Sequence, residues 1–430
     1  MSGPDPVEVF LEAAVRSPRM FWLDGGGATP WSGPRSWIGT LEDDDVSLTF
    51  DAAAREVRRH RSGRSKVVGD DVFEELATEV ARDAGDPDVH WVGYLGYACR
   101  TDLPGRTSPD VPDAVWMRIR APRFVDHPPP GRVPGWSWRQ PHQHSTPEWY
   151  QEAFGRVQEH LRAGNSYEVN LTYRESRSSD IDPETAYLRL RAANPAPYAG
   201  YLRHHADGRG VHLLSSSPER FATVDRRRDL VARPIKGTTP RGATPEDDER
   251  LRHHLASDPK LRAENLMITD LLRNDLSMVC EPGTVVVPAL MEVESYATVH
   301  QLVTTVRGRL RDDVSTVAAL RALFPAGSMT GAPKRMTMEV IDEVEATPRG
   351  VYAGAFGWVS GDGRADLGVV IRSLVAVPIG DRWRYTLGTG GGITVRSDVA
   401  EEWAETLWKS ERLEAVLGPP DTPRPGGLLR

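Results

Sequence analysis

One lysine stands out because of the residues around it. Lys236 lies in a stretch of prolines and glycines that spans residues 233–242 and follows the apolar pair Leu230 and Val231. Prolines restrict the backbone and glycines permit unusual angles, so the stretch is predicted to be a loop leaving the end of a strand. Arginines at 233 and 241 flank the lysine. Nearby positive charge and burial would both favour its neutral, nucleophilic amine, whereas a lysine on a surface turn would stay solvated.

Glu219 is a second candidate for chemistry. It follows Ser217 and Pro218, a dipeptide typical of a turn. Burial would raise the pKa of its carboxyl group and make it a general acid. The same side chain could instead pair with Arg220 or cap the turn, and the residues alone leave these alternatives open.

Three more carboxylates belong to two predicted helices. Glu402, Glu405 and Lys409 share one face of the last helix, because their spacing is three and four residues. Glu264 lies on an earlier helix. Carboxylates from two helices, together with water, suit Mg²⁺ and a substrate with its own carboxylate, and the lack of cysteine or histidine there disfavours zinc. The alternatives are solvated acids and an exposed Glu405–Lys409 pair worth about 0.3–0.5 kcal/mol.

A glycine run from Gly388 to Gly392 precedes the last helix. Glycines let backbone amides approach an anion, and the start of a helix adds partial positive charge. The run is therefore a candidate anion site, although ordinary turns also need glycine.

The elements that must position these residues mix strands and helices. Helices are predicted over residues 72–84, 150–161, 183–193, from 245, 259–274, 333–346 and 398–417. Strands are predicted over residues 21–24, 91–97, 166–173, 198–203, 211–215, 221–224, around 285 and 303, and over 351–360, 366–377 and 382–387, the last three as a meander. Without a steady strand–helix–strand rhythm, this order favours an α+β fold with antiparallel sheets and helices on the outside.

The chain divides by composition into three parts. Residues 1–146 form an N-terminal segment that ends in a proline-rich excursion at about 103–146. Residues 147–418 have the regular pattern of a folded region, and residues 419–430 are predicted to be a tail.

The overall composition excludes several classes of protein. The chain has 430 residues, a formal net charge of -8 and 39% hydrophobic residues, which disfavours a general role in nucleic-acid binding. Its two cysteines, Cys99 and Cys280, disfavour a zinc cluster and favour a reducing cytosol. Met1 to Phe10 lacks the apolar core of a secretory signal, and no apolar run approaches the roughly 20 residues of a membrane span. We therefore expect a cytoplasmic protein that binds neither membranes nor nucleic acid.

Seven or more segments stand in the order found in one enzyme family. They are residues 165–171 (NSYEVNL), 217–221 (SPERF), the lysine stretch, 263–276 (AENLMITDLLRNDL), 324–334 (FPAGSMTGAPK), 350–357, 371–373 (IRS), and the glycine run with the last helix. This series resembles the chorismate-utilising enzymes, which include component I of anthranilate synthase and of aminodeoxychorismate synthase and the isochorismate and salicylate synthases. The N-terminal part resembles the family more loosely, through Leu23-Asp24 and residues 93–97.

The resemblance implies a chorismate site at the centre of two packed, mainly antiparallel sheets, within residues 147–418. It assigns Mg²⁺ to Glu264 and Glu405, with Glu402 as an outer partner, and makes Glu219 the general acid. The residues that it sets against the substrate carboxylates and the enolpyruvyl arm are Thr330, Tyr352, Arg372, Gly390, Gly392 and Lys409.

Two positions discriminate within the family. Lys236 stands where the anthranilate type usually has alanine, and this resembles aminodeoxychorismate synthase component I. There the lysine is thought to attack C2 of chorismate while the acid protonates the departing C4 hydroxyl; ammonia then adds at C4 and expels the lysine, giving 4-amino-4-deoxychorismate. Glu168 stands where isochorismate and salicylate synthases have a lysine that activates water, which argues against water as the nucleophile.

Alternatives remain within this resemblance. The product could be anthranilate or 2-amino-2-deoxyisochorismate, or the chain could be a binding subunit without catalysis. The sequence has no glutamine amidotransferase domain and no catalytic Cys/His set, so ammonia is expected from a separate glutaminase subunit in a heterodimer.

Two departures from the family pattern bear on the site. Leu261 stands three residues before Glu264, where an acidic residue often supports the magnesium, so that outer support for the metal is missing in this chain. Gln301 occupies a place where many members have histidine, and this fits a protein that does not eliminate pyruvate.

Overall fold

A computed structural model describes residues 5–25, 35–126, 145–296 and 299–418. Residues 127–144 of the predicted excursion and the predicted tail at 419–430 lie outside the described residues.

The described helices occur throughout the chain. They are α1 (Pro6–Arg16), α2 (Val72–Arg82), α3 (Glu148–Arg162), α4 (Pro183–Ala193), α5 (Pro245–Ser257), α6 (Pro259–Ser277), α7 (Thr316–Leu323), α8 (Gly327–Thr330), α9 (Lys334–Val344) and α10 (Val399–Ala415). The strands are β1 (Arg19–Asp24), β2 (Arg35–Thr40), β3 (Ser47–Asp51), β4 (Glu56–Arg61), β5 (Arg64–Gly69), β6 (Val89–Leu95), β7 (Ala114–Arg120), β8 (Arg123–Asp126), β9 (Glu168–Ser179), β10 (Tyr198–Ala206), β11 (Arg209–Ser217), β12 (Arg220–Val224), β13 (Asp229–Arg233), β14 (Ile235–Pro240), β15 (Val286–Ser295), β16 (Val299–Arg309), β17 (Gly331–Ala332), β18 (Ala355–Ser360), β19 (Ala365–Val369), β20 (Ser373–Ile379) and β21 (Arg382–Ile393).

These strands form two large sheets within the described residues. One has nine strands in the order β17-β9-β21-β20-β11-β10-β1-β2-β8. The other has twelve strands, in the order β14-β16-β13-β12-β19-β18-β6-β7-β3-β4-β5, with β15 also paired to β16. Every pairing between described strands is antiparallel. Both sheets take strands from the first 126 residues and from the rest of the chain.

The two sheets pack face to face through apolar side chains. Phe21 and Leu213 of the nine-stranded sheet share one buried cluster with Tyr94, Met117 and Phe356 of the twelve-stranded sheet. Helices α1, α4 and α10 cover the other face of the nine-stranded sheet, and α2, α6 and α7 cover the other face of the twelve-stranded sheet. The predicted α+β architecture, two packed antiparallel sheets with helices outside, is therefore confirmed.

Helix starts follow the capping signals in the sequence. Thr244 accepts a hydrogen bond from the amide of Asp247 at the start of α5, and Asp258 and Asp398 cap α6 and α10 in the same way. Helix α4 has the predicted bounds, and the predicted face of α3, which includes Tyr150 and Val157, is buried. Side-chain caps and apolar periodicity are local properties, so they can be read from sequence.

The stretch around Lys236 was predicted as a loop, and this is wrong. Strand β13 runs to Arg233, and after Pro234 the chain continues as β14. β14 is the terminal strand of its sheet and pairs only with β16, so the proline at its end interrupts no central ladder. Gly237 has φ of 100° at the point where the register with β16 shifts, which explains the glycine.

The predicted meander near the C-terminus is also wrong. Residues 366–377 were expected to form one strand, but β19 belongs to the twelve-stranded sheet and β20 to the nine-stranded sheet. The chain crosses between the sheets at residues 370–372, and Arg372 has φ of 48° at this crossing. The crossing places Arg372 in the wall of the cavity described below.

No helix in the part of the chain that the structure describes is both long enough and apolar enough to cross a membrane.

Candidate active site

A cavity of about 340 Å³ collects most of the residues singled out in the sequence. Its walls include Glu219, Lys236, Glu264, Tyr352, Arg372, Gly390, Gly392, Glu402, Glu405 and Lys409. Strand β14, helices α6 and α10, the sheet crossing and the end of β21 supply these walls. Thr330 is the exception, because it is fully buried behind its neighbours Ser328 and Met329 and its hydroxyl donates to Ala326 O at 3.2 Å.

Lys236 is enclosed by carboxylates rather than by arginines. Its Nζ donates to Glu168 Oε1, and only 8% of the lysine is exposed. Burial alone would lower the pKa of the ammonium, but Glu168 and then Glu264 reverse this, and the pKa is raised above its ordinary value. The flanking arginines face elsewhere: Arg233 pairs with Glu294 and Arg241 with Asp248. The expectation of a neutral resting amine is therefore wrong, because strand geometry turns neighbours in sequence away from each other.

Glu219 has the environment of a general acid. It is buried, and burial raises the pKa of its carboxyl to about 7, although hydrogen bonding to Ser328 and the charge of Lys236 oppose this. Ser328 Oγ donates to Glu219 Oε1 at 2.5 Å. Pairing with Arg220 does not occur, because that guanidinium is engaged by Tyr198 and Asp366. A carboxyl with this pKa can hold a proton near neutral pH and release it to a leaving group.

The three acidic residues predicted near a metal lie on one side of the cavity. Burial raises the pKa of Glu264 to about 7, and its Oε1 has no hydrogen-bond partner among the described residues. Glu402 Oε1 accepts from Lys260 at 2.7 Å, and the half-exposed Glu405 pairs with Lys409 at 2.7 Å. Burial and then the charge of Glu405 raise the pKa of Glu402.

This donor set fits a divalent cation only with help from other ligands. The described residues contain no group of three or more His, Cys, Asp or Glu side chains that could hold a metal by themselves. The orphaned oxygen of Glu264 is a buried acceptor that a cation would satisfy, and oxygen ligands suit Mg²⁺. Waters and substrate oxygens would have to complete such a site.

Arg372 supplies an unsatisfied cation. Its guanidinium lies 5.8 Å from the ring centre of Trp408, and its side chain makes no hydrogen bond or ion pair within the described residues. Burial and the nearby Arg412 lower its pKa to about 10, so it stays charged at neutral pH. A partly buried guanidinium without a hydrogen-bonding partner is well suited to bind a carboxylate.

The glycine run is a strand and not a turn. It forms the end of β21, paired with β9, and α10 begins only at Val399, so the helix start does not lie at the run. Neighbouring side chains pack closely against the glycine run. A Cβ added to Gly388 would lie 2.2 Å from Tyr352 Cγ, and one added to Gly392 would lie 2.3 Å from Glu168 Oε1. Glycine is needed for close approach, and the carbonyl of Gly390 accepts from Lys409 at 2.8 Å.

Several residues of the cavity were not singled out as site residues in the sequence analysis. Ser328, Lys260 and Trp408 line it, and the contact between Glu168 and Lys236 joins residues 68 positions apart. Ser328 lies inside a family segment and Lys260 lies beside one, so their positions in the sequence could have marked them as site residues. Nothing in the sequence indicated that Glu168 and Lys236 would be in contact. Leu261 and Gln301 also line the cavity, and Lys260 beside Leu261 is the residue that reaches the acidic side.

The architecture and the sequence both match known proteins. The structure is similar to that of anthranilate synthase component I from Streptococcus pneumoniae, with a TM-score of 0.70 and 24% identity over 86% of this chain and 90% of that one. At this identity the likeness concerns the fold.

The sequence comparisons give the family. Residues 127–415 match the model of the chorismate binding enzymes, and the chain belongs to that family. It is 38% identical to a protein of Streptomyces pristinaespiralis named aminodeoxychorismate synthase, over 96% of this chain and 64% of the relative. It is also 38% identical to the aminodeoxychorismate synthase component 1 of Salmonella typhimurium, over 86% of this chain and 77% of the relative. The chain thus spans less than two thirds of the first of these relatives.

Proposed function

We propose that this chain is an aminodeoxychorismate synthase component I, which converts chorismate and ammonia to 4-amino-4-deoxychorismate. The observation that carries the proposal is that Lys236 and Glu219 face one enclosed cavity. One can attack carbon and the other can protonate a departing hydroxyl. The names of the two relatives support the same activity.

The charges of the cavity suit a dianionic substrate. Chorismate has two carboxylates, and Arg372 and Lys409 offer cations from different walls. Glu264 and Glu405 would hold Mg²⁺, with Glu402 as an outer partner, and an ion bound there would neutralise and orient a substrate carboxylate.

The reaction uses the two catalytic residues in turn. The Lys236 amine forms a bond to C2, both ring double bonds shift by one position toward C4, and the C4 hydroxyl leaves as water with the proton of Glu219. Ammonia then bonds to C4, both double bonds return to their first positions and the C2–N bond to Lys236 breaks. Glu168 stands where the water-activating relatives have a lysine, and it hydrogen-bonds Lys236, which favours ammonia as the final nucleophile.

Ammonia would come from a separate glutamine amidotransferase subunit. The Salmonella relative is named as a component 1, which supports a second component. Added ammonium salt should replace that subunit in a test tube.

The deciding experiment is the product formed from chorismate, Mg²⁺ and ammonium by the purified chain. We expect 4-amino-4-deoxychorismate without release of pyruvate. Anthranilate together with pyruvate, or 2-amino-2-deoxyisochorismate, would replace the proposal by that alternative. Absence of any turnover, with chorismate still bound, would indicate a binding subunit.

Lys236→Ala tests the nucleophile. Without the amine no bond to C2 can form, so we expect amination at C4 to fall by at least about a thousandfold, the size of effect typical of removing a covalent catalyst. The exposed Lys66→Ala is the matched control and should keep full activity. Intact-protein mass spectrometry with chorismate but no ammonia should detect an adduct on wild type and none on Lys236→Ala. Full activity in that variant would remove Lys236 from the mechanism.

A further inference from the structure

Lys236 is positively charged before the reaction, and the proposed mechanism has so far named no residue that removes its proton. An ammonium has no lone pair and cannot attack carbon. Lys236 is paired with a carboxylate and holds its proton at neutral pH, so something must remove that proton before C2 is attacked.

We propose that Glu168 is the base that takes the proton from Lys236 before attack and returns it when the lysine departs. This inference rests on the proposed function, since it requires Lys236 to be the nucleophile.

The contact between the two side chains carries the inference. Lys236 Nζ donates to Glu168 Oε1, which is its sole hydrogen-bonding partner in the described part of the chain. Glu168 is 1% exposed, and its Oε2 has no hydrogen-bond partner among the described residues. One oxygen of the Glu168 carboxylate therefore contacts the amine, and either oxygen can still accept a proton. Burial removes water from both charges, so it reduces the free-energy difference between the ion pair and the neutral pair of amine and carboxylic acid.

The main chain is shaped to hold this pair. A Cβ added to Gly392 would lie 2.3 Å from Glu168 Oε1 and 3.2 Å from Lys236 Nζ, so a larger residue there would displace the contact between the two side chains. On the other side, Ser166 Oγ donates to the backbone oxygen of Glu168 at 2.9 Å and fixes the start of β9. A proton can pass between the two groups without entering water.

No other carboxylate hydrogen-bonds the amine in the part of the chain that the structure describes. Glu264 from α6 and Glu219 from the link between β11 and β12 both act on Lys236 through space. Glu219 must keep its own proton for the leaving hydroxyl. The remaining charged residues of the cavity are Lys260, Arg372, Glu402, Glu405 and Lys409; the two carboxylates among them pair with Lys260 and Lys409.

The protons balance over one turnover. Lys236 gives a proton to Glu168 and becomes the free amine; its attack on C2 makes a secondary ammonium while Glu219 protonates the leaving hydroxyl. Ammonia adds at C4 as a cation, the C2–N bonding electrons return to Lys236, and Glu219 recovers its proton from the new C4 ammonium. Protonated Glu168 then returns the first proton to Lys236. The sum is chorismate plus ammonia giving the amino product plus water.

The test is the pH dependence of adduct formation without ammonia. The ionic pair and the neutral pair contain the same number of protons, so in wild type the rate should be flat from about pH 5.5 to about 6.5 and fall at higher pH as Glu219 ionises. In Glu168→Gln the amine must lose its proton to solvent, and the rate should rise about tenfold per pH unit in the acid range. At pH 6 we expect the variant to be slower than wild type by at least tenfold.

Each outcome decides something. A profile of Glu168→Gln that superimposes on wild type overturns the role of Glu168, and so does a tenfold rise per pH unit in wild type itself, a measurement that needs no variant. Glu168→Asp should restore part of the flat profile, and the exposed Glu159→Gln should behave as wild type. If wild type forms neither adduct nor C4 amine, the proposed function fails too; if it forms both and the variant profile is unchanged, Glu168 alone is excluded.

Discussion

At the scale of single residues, burial sets the chemistry of the cavity more than local sequence does. Glu219 and Glu264 have pKa values near 7 because they are enclosed, and Lys236 keeps its proton because carboxylates enclose it. The same kind of environment thus prepares an acid that can donate and an amine that must first be deprotonated.

Ser328→Ala should move the pH limb that Glu219 controls. A general acid is active while protonated, so kcat/KM should fall as pH rises through about 7 in wild type. The Ser328 hydroxyl stabilises the carboxylate, and its loss should raise the pKa of Glu219 and shift the limb upward by about one unit, or roughly 1.4 kcal/mol. The measurement is the pH profile at constant free ammonia, with Ser178→Ala as the control on an exposed face of β9. If the pH at which kcat/KM falls is the same in Ser328→Ala and in wild type, Glu219 is not the group whose ionisation causes the fall.

At the scale of elements, one buried ion pair joins two parts of the cavity wall. Helix α6 carries Glu264, and its Asp275 accepts from Lys334 Nζ at 2.7 Å at the start of α9. The same amine donates to Leu323 O at 2.8 Å. The segment that leads into α9 contains Ser328, so this pair holds helix α6, which carries Glu264, against the segment that contacts Glu219.

Lys334→Met should destabilise the fold strongly. The substitution leaves the buried Asp275 without its cation, and an uncompensated buried charge costs about 3–5 kcal/mol. Urea unfolding at neutral pH measures this loss, and the exposed Lys66→Met should change the free energy of unfolding by less than about 0.5 kcal/mol. If the Lys334→Met, Asp275→Leu double variant regains most of the lost free energy of unfolding, the loss in the single variant comes from the unpaired carboxylate of Asp275. A single variant as stable as wild type would contradict the assignment.

The same elements show what sequence could and could not predict. The caps at Thr244 and Asp398 and the buried face of α3 depend on neighbours within a turn or two, and they were confirmed. The crossing at Arg372 and the strand around Lys236 depend on which distant strand each segment pairs with, and local pattern carries no such information. Family motifs brought most cavity residues together, but the partner of Lys236 became visible only in three dimensions.

At the scale of the whole molecule, the first 126 residues contribute strands to both sheets. Strands β1, β2 and β8 complete the nine-stranded sheet, and β3 to β7 complete the twelve-stranded one. Asp113, just before β7, is buried in this part of the chain: its amide donates to Phe50 O at 2.8 Å, and its Oδ2 accepts from the amide of Ala52 at 2.8 Å. Its Oδ1 has no partner among the described residues.

Asp113→Asn should stabilise the protein above neutral pH. Burial raises the pKa of Asp113 to about 6, so the folded state binds the proton more tightly than the unfolded state and loses stability as pH rises from about 4 to about 6. The amide variant avoids that loss and should be more stable at pH 8 by about 2–3 kcal/mol, a difference that disappears near pH 4. Urea unfolding at both pH values tests this, with the exposed Asp44→Asn as control. Equal stabilities at pH 8 would falsify the titration assigned to Asp113.

The glycine-rich end of β21 also limits how the enzyme can change. Its peptide groups are fixed by pairing with β9, and Thr389, whose hydroxyl donates to Thr406 O at 2.8 Å, is the one residue from Gly388 to Gly392 with a side chain. Laboratory evolution toward another nucleophile or a bulkier ring would therefore have to draw its mutations from the opposite walls, β14, α6 and α10. A library confined to those three walls would avoid the positions where a side chain cannot fit, since a Cβ at Gly388 or Gly390 would lie 2.2 Å from Tyr352 Cγ or from the backbone oxygen of Leu171.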